Sequence, residues 1–308
     1  MSNNIKTVAP EGNSLERESA FTHISTRRKS TNSIATVVMY LAMAIALVPL
    51  IWVLAEVFIR GLSPILSLDW WTTSQRGVLY HMEGGGAYHA IVGTFMQTLI
   101  TSIVSIPFGI FTAIYLVEYA NGNRLGRITT FMVDILSGVP SIVAALFIYA
   151  LWITMFGFNR SGFAVSLSLI ILMIPVIIKN TEEMLRVVPA DLREASYALG
   201  VPKWKTIYKI VLPTALSGIV TGVMLAIARV MGESAPVLLL VGSTQSLNWD
   251  SWNGPQASLP LMMLDMYKAG ASDAVLAKLW GAALTLVIII ALLNIGARLI
   301  SARFSVKT

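Results

Sequence analysis

The sequence contains no cysteine and carries little charge. The absence of cysteine from its 308 residues excludes disulfides, thiol nucleophiles and cysteine-ligated metals. The three histidines, His23, His81 and His89, are widely separated, so a bound transition metal is not expected. Charged side chains make up 12% of the chain, about half the usual share of a soluble protein, whereas 56% are hydrophobic. A cytosolic enzyme and a secreted disulfide-stabilised scaffold are therefore both excluded.

What the chain has instead is a series of long apolar segments. Each is about long enough to cross the ~30 Å hydrocarbon core of a bilayer. The fourth segment is short and contains Pro175, which predicts a tilted or irregular helix. We expect an all-α integral membrane protein whose polar residues 1–33 form a disordered cytoplasmic tail. The six predicted spans are 34–59, 90–117, 128–156, 163–178, 216–241 and 276–300.

The basic residues predict how the spans are oriented. With the N-terminus inside, sixteen Lys and Arg residues fall on the cytoplasmic side. The outer side receives four, with Lys278 at the outer end of the sixth span: Arg60, Arg76, Arg160 and Lys268. Basic loops stay in the cytoplasm, so both termini are expected there. The net charge of +6 then reflects membrane topology, and lipid rather than nucleic acid is the expected contact.

The cytoplasmic loop 179–215 contains the start and stop signals of two short helices. Asp191 and Glu194 resemble the start of a helix with a capping box, and Gly200 suits a left-handed end. A second helix is expected to start at Pro202 and close at Pro213. One face of that second helix is predicted to be apolar, with Trp204, Ile207, Tyr208 and Val211. A docking element and a connector lying on the membrane surface are supported equally by these residues.

The same loop resembles the EAA motif of binding-protein-dependent ABC importer permeases. That motif reads Glu-Ala-Ala, three residues, Gly, nine residues, Ile-x-Leu-Pro. The chain departs from it only in having Ser196 for the second alanine. The resemblance implies a type I ABC importer permease fold with six transmembrane helices and a coupling helix that fits a groove on an ATPase subunit. The matching positions are Glu194, Ala195, Ser196, Gly200, Ile210, Leu212 and Pro213.

The chain lacks a nucleotide-binding loop of its own. The pattern Gly-x-x-x-x-Gly-Lys-Ser/Thr is missing, and no Gly-Lys pair occurs anywhere in the sequence. We therefore expect that this polypeptide is not an enzyme and binds no cofactor. ATP and Mg²⁺ would be used by a partner ATPase.

Two charged residues interrupt the fifth span. Arg229 lies near its centre, and Glu233 is expected one turn further along the same face. Pro236 removes a helical hydrogen bond and Gly232 permits close approach, so a break in the helix is expected there. An intramembrane arginine beside loosened backbone suits a multivalent oxyanion. The other interpretation is an Arg229–Glu233 ion pair that neutralises itself and packs helices together.

The third span contains a second predicted break, at Gly138 and Pro140. The amides of the half-helix that follows, with the hydroxyls of Ser137 and Ser141, offer donors to an anion. A plain packing kink explains the same residues equally well. Asp134 would repel an anion and is expected to pair with a neighbouring base.

Three further stretches resemble the PstA-type permeases of phosphate importers. They are GGGAYHAIVGT at 84–94, SGVPSIVA at 137–144 and ARVMGESAP at 228–236. The resemblance implies a multi-pass protein of the bacterial inner membrane that forms half of the pathway for inorganic phosphate by alternating access. The implied partners are a PstC-type permease as the other half of a heterodimer, two PstB-type ATPases and a PstS-type phosphate-binding protein.

Several other assignments stay open at this point. The substrate could be another oxyanion such as sulfate, molybdate or phosphonate, and the chain could be the sister PstC-type subunit. A non-conducting scaffold or sensor subunit for phosphate signalling is a candidate of another class. A scaffold would tolerate loss of Arg229, whereas a translocating subunit would require it.

Overall fold

The computed structural model describes residues 26–120 and 122–304, which are mostly helical. Most of the predicted N-terminal tail lies outside the described residues. Helix α1, Thr26–Ile65, begins eight residues before the predicted first span, so residues 26–33 are helical rather than part of a disordered tail. The chain divides into two compact units, 1–55 and 56–308, and the functional elements described below all belong to the second.

Eleven further helices follow α1 in the described residues, and several continue through a wider π-helical turn. No strand is formed in this part of the chain. The helices are α2 Leu68–Thr72, α3 Tyr88–Ile114, α4 Arg124–Ser137, α5 Ser141–Ile148, α6 Gly162–Val187, α7 Ala190–Ala198, α8 Lys203–Thr206, α9 Leu212–Met231, α10 Ala235–Leu240, α11 Leu259–Ala269 and α12 Asp273–Phe304. The π turns are Tyr115–Tyr119 after α3, Tyr149–Met155 after α5 and Ile207–Val211 between α8 and α9.

Five helical stretches are long and apolar enough to cross a membrane, and a bent helix pair can supply a sixth crossing. The prediction of an all-α membrane protein is confirmed. The stretches are Thr26–Ile65, Tyr88–Tyr119, Gly162–Val187, Lys203–Met231 and Asp273–Arg303, and the bent pair is Arg124–Ser137 with Ser141–Met155.

The bent pair is where the structure departs most from a simple span. Helices α4 and α5 meet at 104°, because α4 ends at Gly138 and the Pro140 ring prevents the helix from continuing. The end of α3 contacts α7, whereas the start of α6 contacts Gln256 at the opposite end of the molecule. The chain between them must change sides, so α4 and α5 together make one crossing.

The fourth span is longer than predicted. Helix α6 runs from Gly162 to Val187, nine residues beyond the predicted end at residue 178. It continues because Leu185 is buried in register with the apolar face, while Glu182 and Arg186 form an ion pair one turn apart on its surface. Lys179 therefore lies within a helix and not in the loop to which the sequence assigned it.

The spans pack in layers of buried side chains. One cluster, called the middle cluster, combines residues of α5, α6, α9 and α10, among them Ala145, Met173, Val230 and Val237. A second, called the inner cluster, joins the C-terminal ends of α3 and α6 to the start of α9 and includes Ala113, Leu116, Leu185, Val211 and Ala215. Helices α3 and α6 approach closely at Gly109, where an added Cβ would lie 2.6 Å from Cγ2 of Ile177. The EAA segment thus lies at the end of the molecule that the inner cluster occupies.

Candidate functional site

The EAA element, residues 190–213, is built around a left-handed turn at Gly200. The glycine has φ +73°, and its N–H donates to the carbonyl of Tyr197 at 2.9 Å. The next amide, of Val201, reaches back to the carbonyl of Ser196 at 3.2 Å. These two bonds form a Schellman motif, which ends a helix only where a residue such as glycine adopts positive φ.

The start of the element differs from the predicted capping box. Helix α7 begins at Ala190 with Pro189 as its N-cap, so Asp191 lies within the first turn and caps nothing. The proline occupies the cap because its extended backbone, ψ 139°, already directs the chain into the helix. Asp191 still stabilises α7 through its charge at the positive end of the helix dipole.

The serine that departs from the EAA pattern has a structural partner. The Ser196 hydroxyl lies 2.8 Å from the hydroxyl of Thr206, and both residues are buried. Because Ser196 belongs to α7 and Thr206 to α8, this hydrogen bond joins the two arms on either side of Gly200. The second alanine of the motif can therefore be replaced here without opening the turn.

The second arm does not end at Pro213. Helix α8 passes through the π turn into α9, and Pro213 lies in the first turn of α9. The widened turn directly precedes the proline, whose ring would clash with the carbonyl four residues earlier in a regular helix. The predicted apolar face is divided by burial, because Trp204 and Tyr208 are exposed while Ile207 and Val211 are buried.

The element consequently presents a mixed surface. Glu194 and Ala195 are exposed on α7, whereas Ile210, Leu212 and Pro213 are half-buried where the element joins α9. Five large side chains of the element that carry apolar surface are exposed: Leu192, Tyr197, Leu199, Trp204 and Tyr208. An exposed apolar surface with a carboxylate beside it suits contact with another protein.

Polar contacts that the sequence analysis missed hold the element to the spans. The buried carboxylate of Glu118, in the π turn after α3, accepts from Nε and Nη2 of Arg193 at 3.1 and 2.9 Å. Arg193 also donates to the carbonyls of Leu185 and Val188. Lys203 donates to the main-chain carbonyl of Glu118, and its Nζ lies 4.9 Å from the centre of the Tyr119 ring. Glu118 and Arg193 are 75 residues apart, and no sequence signal links them.

The intramembrane arginine lies on an exposed face of α9. Two nearby residues of the same helix, Ala226 and Val230, belong to the middle cluster together with Met173, which is about midway along α6. Arg229 is therefore at mid-membrane depth. Among the residues that the structure describes, no hydrogen bond or ion pair engages its guanidinium.

Glu233 does not take the predicted place one helical turn after Arg229. Helix α9 ends at Met231, its final amides bond three residues back, and α10 begins only at Ala235 with Pro236 in its first turn. Glu233 thus lies in the irregular segment between α9 and α10, beyond the last turn of the helix that carries Arg229. No ion pair joins the two side chains within the described ranges, so the self-neutralising pair is absent from this structure.

The break in the third span brings a different charge pair together. Nζ of Lys179 lies 2.9 Å from a carboxylate oxygen of Asp134 and 2.9 Å from the Ser137 hydroxyl. The expected basic partner of Asp134 is therefore Lys179. Ser141 is half-exposed at the start of α5, where the first amides are directed toward the break.

The two helix breaks meet in the middle cluster, whereas the EAA element lies apart from them. Val139, between Gly138 and Pro140, packs on the cluster that includes Val230 and Val237 from either side of the break between α9 and α10. In the described part of the chain, no group of three or more His, Asp or Glu residues is arranged to hold a metal ion.

Comparison with known proteins finds a matching family and matching relatives for this chain. Residues 105–306 match the family model described as "Binding-protein-dependent transport system inner membrane component". The chain is 52% identical over 272 residues to the phosphate transport system permease protein PstA of Mycobacterium leprae, covering 88% of this chain and 89% of the relative. It is 36% identical over 273 residues to the PstA of Pasteurella multocida, covering 88% and 95%.

The fold is also similar to a solved structure. A bacterial ABC transporter involved in the import of the acidic polysaccharide alginate has a chain that aligns with a TM-score of 0.59 at 14% identity. The alignment covers 91% of this chain and 99% of the other. This likeness bears on the fold alone, and it agrees with the ABC importer permease architecture expected from the EAA segment.

Proposed function

The chain belongs to the family of binding-protein-dependent transport system inner membrane components, and from that premise we propose how it moves its substrate. It is the transmembrane permease subunit of an ATP-driven phosphate importer, located in the bacterial inner membrane, and it forms half of the translocation pathway. As a permease subunit it is not an enzyme. The relatives named above, both phosphate transport system permeases, support phosphate as the substrate.

The proposed mechanism rests on the guanidinium of Arg229, which is exposed and, within the described residues, unpaired. A guanidinium exposed at mid-membrane depth is too costly to leave facing lipid. It is placed instead to line a path between this chain and a second permease, where it offers planar paired N–H donors to a phosphate oxyanion. The absence of an ion pair with Glu233 leaves those donors available.

The helix breaks support a path at the same depth. Where α9 and α4 end, main-chain groups and hydroxyls lie beside the middle cluster instead of being enclosed in a continuous helix. Irregular backbone at membrane depth is stable where it lines a polar cavity. Ser141 and the first amides of α5 are donors there, whereas Ser137 already accepts from Lys179.

The EAA element is proposed to receive the motion of the ATPases. Its exposed surface, with Glu194 and Leu199, would fit a groove on a PstB-type subunit. Two such ATPases would bind and hydrolyse ATP with Mg²⁺, while a PstC-type permease completes the pathway and a PstS-type protein delivers phosphate from outside. The side that carries the element is then cytoplasmic, in agreement with its basic residues, and both termini are placed on that side.

Alternating access follows from these parts. ATP binding draws the ATPases together, and the EAA elements carry that movement to the spans. The path then opens outward to the binding protein. After hydrolysis the spans relax and the path opens inward.

Uptake of labelled phosphate tests this function. Cells that lack this gene are resupplied with the wild-type chain, and excess sulfate, molybdate or phosphonate is added as a competitor. The proposal expects ATP-dependent phosphate uptake that none of these anions reduces. Efficient competition would assign another oxyanion, and restored phosphate signalling without uptake would assign a scaffold.

A further inference from the structure

Arg193 connects three helical segments at one point. Its guanidinium donates two hydrogen bonds to the Glu118 carboxylate in the π turn after α3 and one each to the carbonyls of Leu185 and Val188 at the end of α6. Because the guanidinium is planar with five N–H donors in a fixed fork, these bonds hold α7 in one orientation relative to both spans.

The contact between Glu118 and Arg193, which we call the joint, is enclosed by protein. This distinguishes it from ion pairs at the surface. The side chains of Glu118 and Arg193 are 5% and 18% exposed, whereas Arg186, paired with Glu182 on α6, is 65% exposed. Exposed pairs hold long flexible side chains only loosely. A buried carboxylate that loses its arginine would be left as an uncompensated charge.

The second arm of the EAA element is tied to the same point. Lys203, the first residue of α8, donates to the main-chain carbonyl of Glu118, and the Ser196–Thr206 hydrogen bond links α8 back to α7. Helix α3 has no covalent continuation into the element, since 75 residues separate Glu118 from Arg193. These polar contacts tie it to both arms, in addition to the packing of its end with Val211 in the inner cluster.

We infer that Glu118 and Arg193 are positioning residues that make the EAA element move as one body with α3 and α6. This inference rests on the proposed function, in which an ATPase displaces the element. An element attached only through the chain to α6 and α9 would rotate on its links and leave α3 behind. The joint instead delivers the displacement to α3 and α6 together.

The absence of cysteine allows a direct test in the assembled importer. Spin labels are attached through Phe111→Cys on α3 and Leu199→Cys on the element, both of which are exposed positions. The partner subunits are used without their own cysteines. With Arg193 present, the distance distribution between the labels should be narrow and the same with and without a trapped nucleotide.

In the Arg193→Lys or Glu118→Gln variant, the distribution should broaden or shift with nucleotide. In Arg193→Lys, the single ammonium group of the lysine cannot reach the Glu118 carboxylate and the carbonyls of both Leu185 and Val188 at once. Phosphate imported per ATP hydrolysed should fall roughly 3- to 30-fold, the range for a residue that transmits coupling between sites. The matched control Arg186→Lys, which alters the exposed pair with Glu182 on α6, should behave as wild type.

A tether separates a mechanical role from a folding role. In Glu118→Cys/Arg193→Cys, a short bifunctional thiol reagent should restore the import per ATP that the unlinked double variant loses. An Arg193→Lys complex that keeps both its narrow distribution and its import ratio would overturn the inference. So would a wild-type distance that shifts with nucleotide, or tethered complexes that remain uncoupled. The distances require no phosphate, so a failure of phosphate uptake in wild type would count against the proposed function alone.

Discussion

The hydroxyls of Ser196 and Thr206 meet 2.8 Å apart beneath the left-handed turn at Gly200. They hold the two short helices of the EAA element together, at the position where the family pattern has an alanine. The turn itself is made by main-chain bonds across Gly200, so the hydroxyl pair reinforces a geometry that the backbone already specifies.

Ser196→Ala should therefore preserve coupled transport and cost little stability. Loss of one neutral hydrogen bond costs about 1 kcal/mol, because Thr206 retains the carbonyl of Pro202 as an acceptor at 3.4 Å. The melting temperature of the assembled complex should fall by about 2 °C. Ser217→Ala, an exposed serine on α9, is the control and should not change it. Loss of ATPase binding in Ser196→Ala would show that the hydroxyl pair, rather than Gly200, determines the turn.

The sequence predicted the spans and the EAA element because those features depend on local composition and spacing. Six apolar segments correspond to the helices and the bent pair, and the left-handed turn falls at Gly200, where the motif requires it. Periodicity did not specify how far α4 and α5 bend apart, because Gly138 and Pro140 set only the position of a break and packing sets its angle.

The errors came where a distant contact or an irregular turn decides the structure. The capping-box assignment was wrong because Pro189 takes the cap, and the predicted apolar face of the second arm is divided because packing buries Ile207 and Val211 while Trp204 and Tyr208 stay exposed. The predicted Arg229–Glu233 register assumed a continuous helix. Glu118 and Arg193 were missed because each is an ordinary charged residue until folding brings the two together.

Gly93, in the first turns of α3, leads to a prediction about stability. A Cβ at Gly93 would lie 2.0 Å from the carbonyl oxygen of Ala257, the same oxygen that accepts from Gln97. Gly93→Ala should destabilise the chain by about 1–3 kcal/mol, since backbone must move to admit the methyl group. Gly296→Ala, on α12, meets nothing within 4 Å and should be neutral or stabilising by up to about 1 kcal/mol.

Thermal melting of the two alanine variants, purified in the same detergent, checks this pair. The difference between the two melting temperatures is more informative than either temperature alone, because both variants exchange glycine for alanine within a helix. Equal melting temperatures would mean that α3 does not approach Ala257 as closely as the structure shows.

The break between α9 and α10 should be removable. In Gly232→Ala/Pro236→Ala the missing amide returns, and a Cβ at residue 232 meets only ordinary contacts, 3.5 Å or more away. The helix should then continue past Glu233 and place its carboxylate one turn from Arg229, a pairing worth about 0.2–0.5 kcal/mol. Uptake should fall, because the guanidinium gains a competing partner and the irregular backbone is lost.

Spin labels at Leu225→Cys and Leu238→Cys, both exposed, report whether the helix has straightened. Thirteen helical residues rise about 20 Å, and the double variant should approach that separation between backbone sites. Gly296→Ala is the control for an alanine introduced into a span. A straightened helix that still imports phosphate at the wild-type rate would show that the break has no part in transport.

The most direct test of the account is phosphate uptake by Arg229→Ala, measured per assembled complex in cells lacking this gene. The variant should assemble normally and import at the background level, because no hydrogen bond or ion pair within the described residues engages the guanidinium. Arg298→Ala, an exposed arginine on α12, should import as wild type does. Wild-type uptake by Arg229→Ala, or loss of the assembled complex, would contradict the placement of Arg229 on the phosphate path.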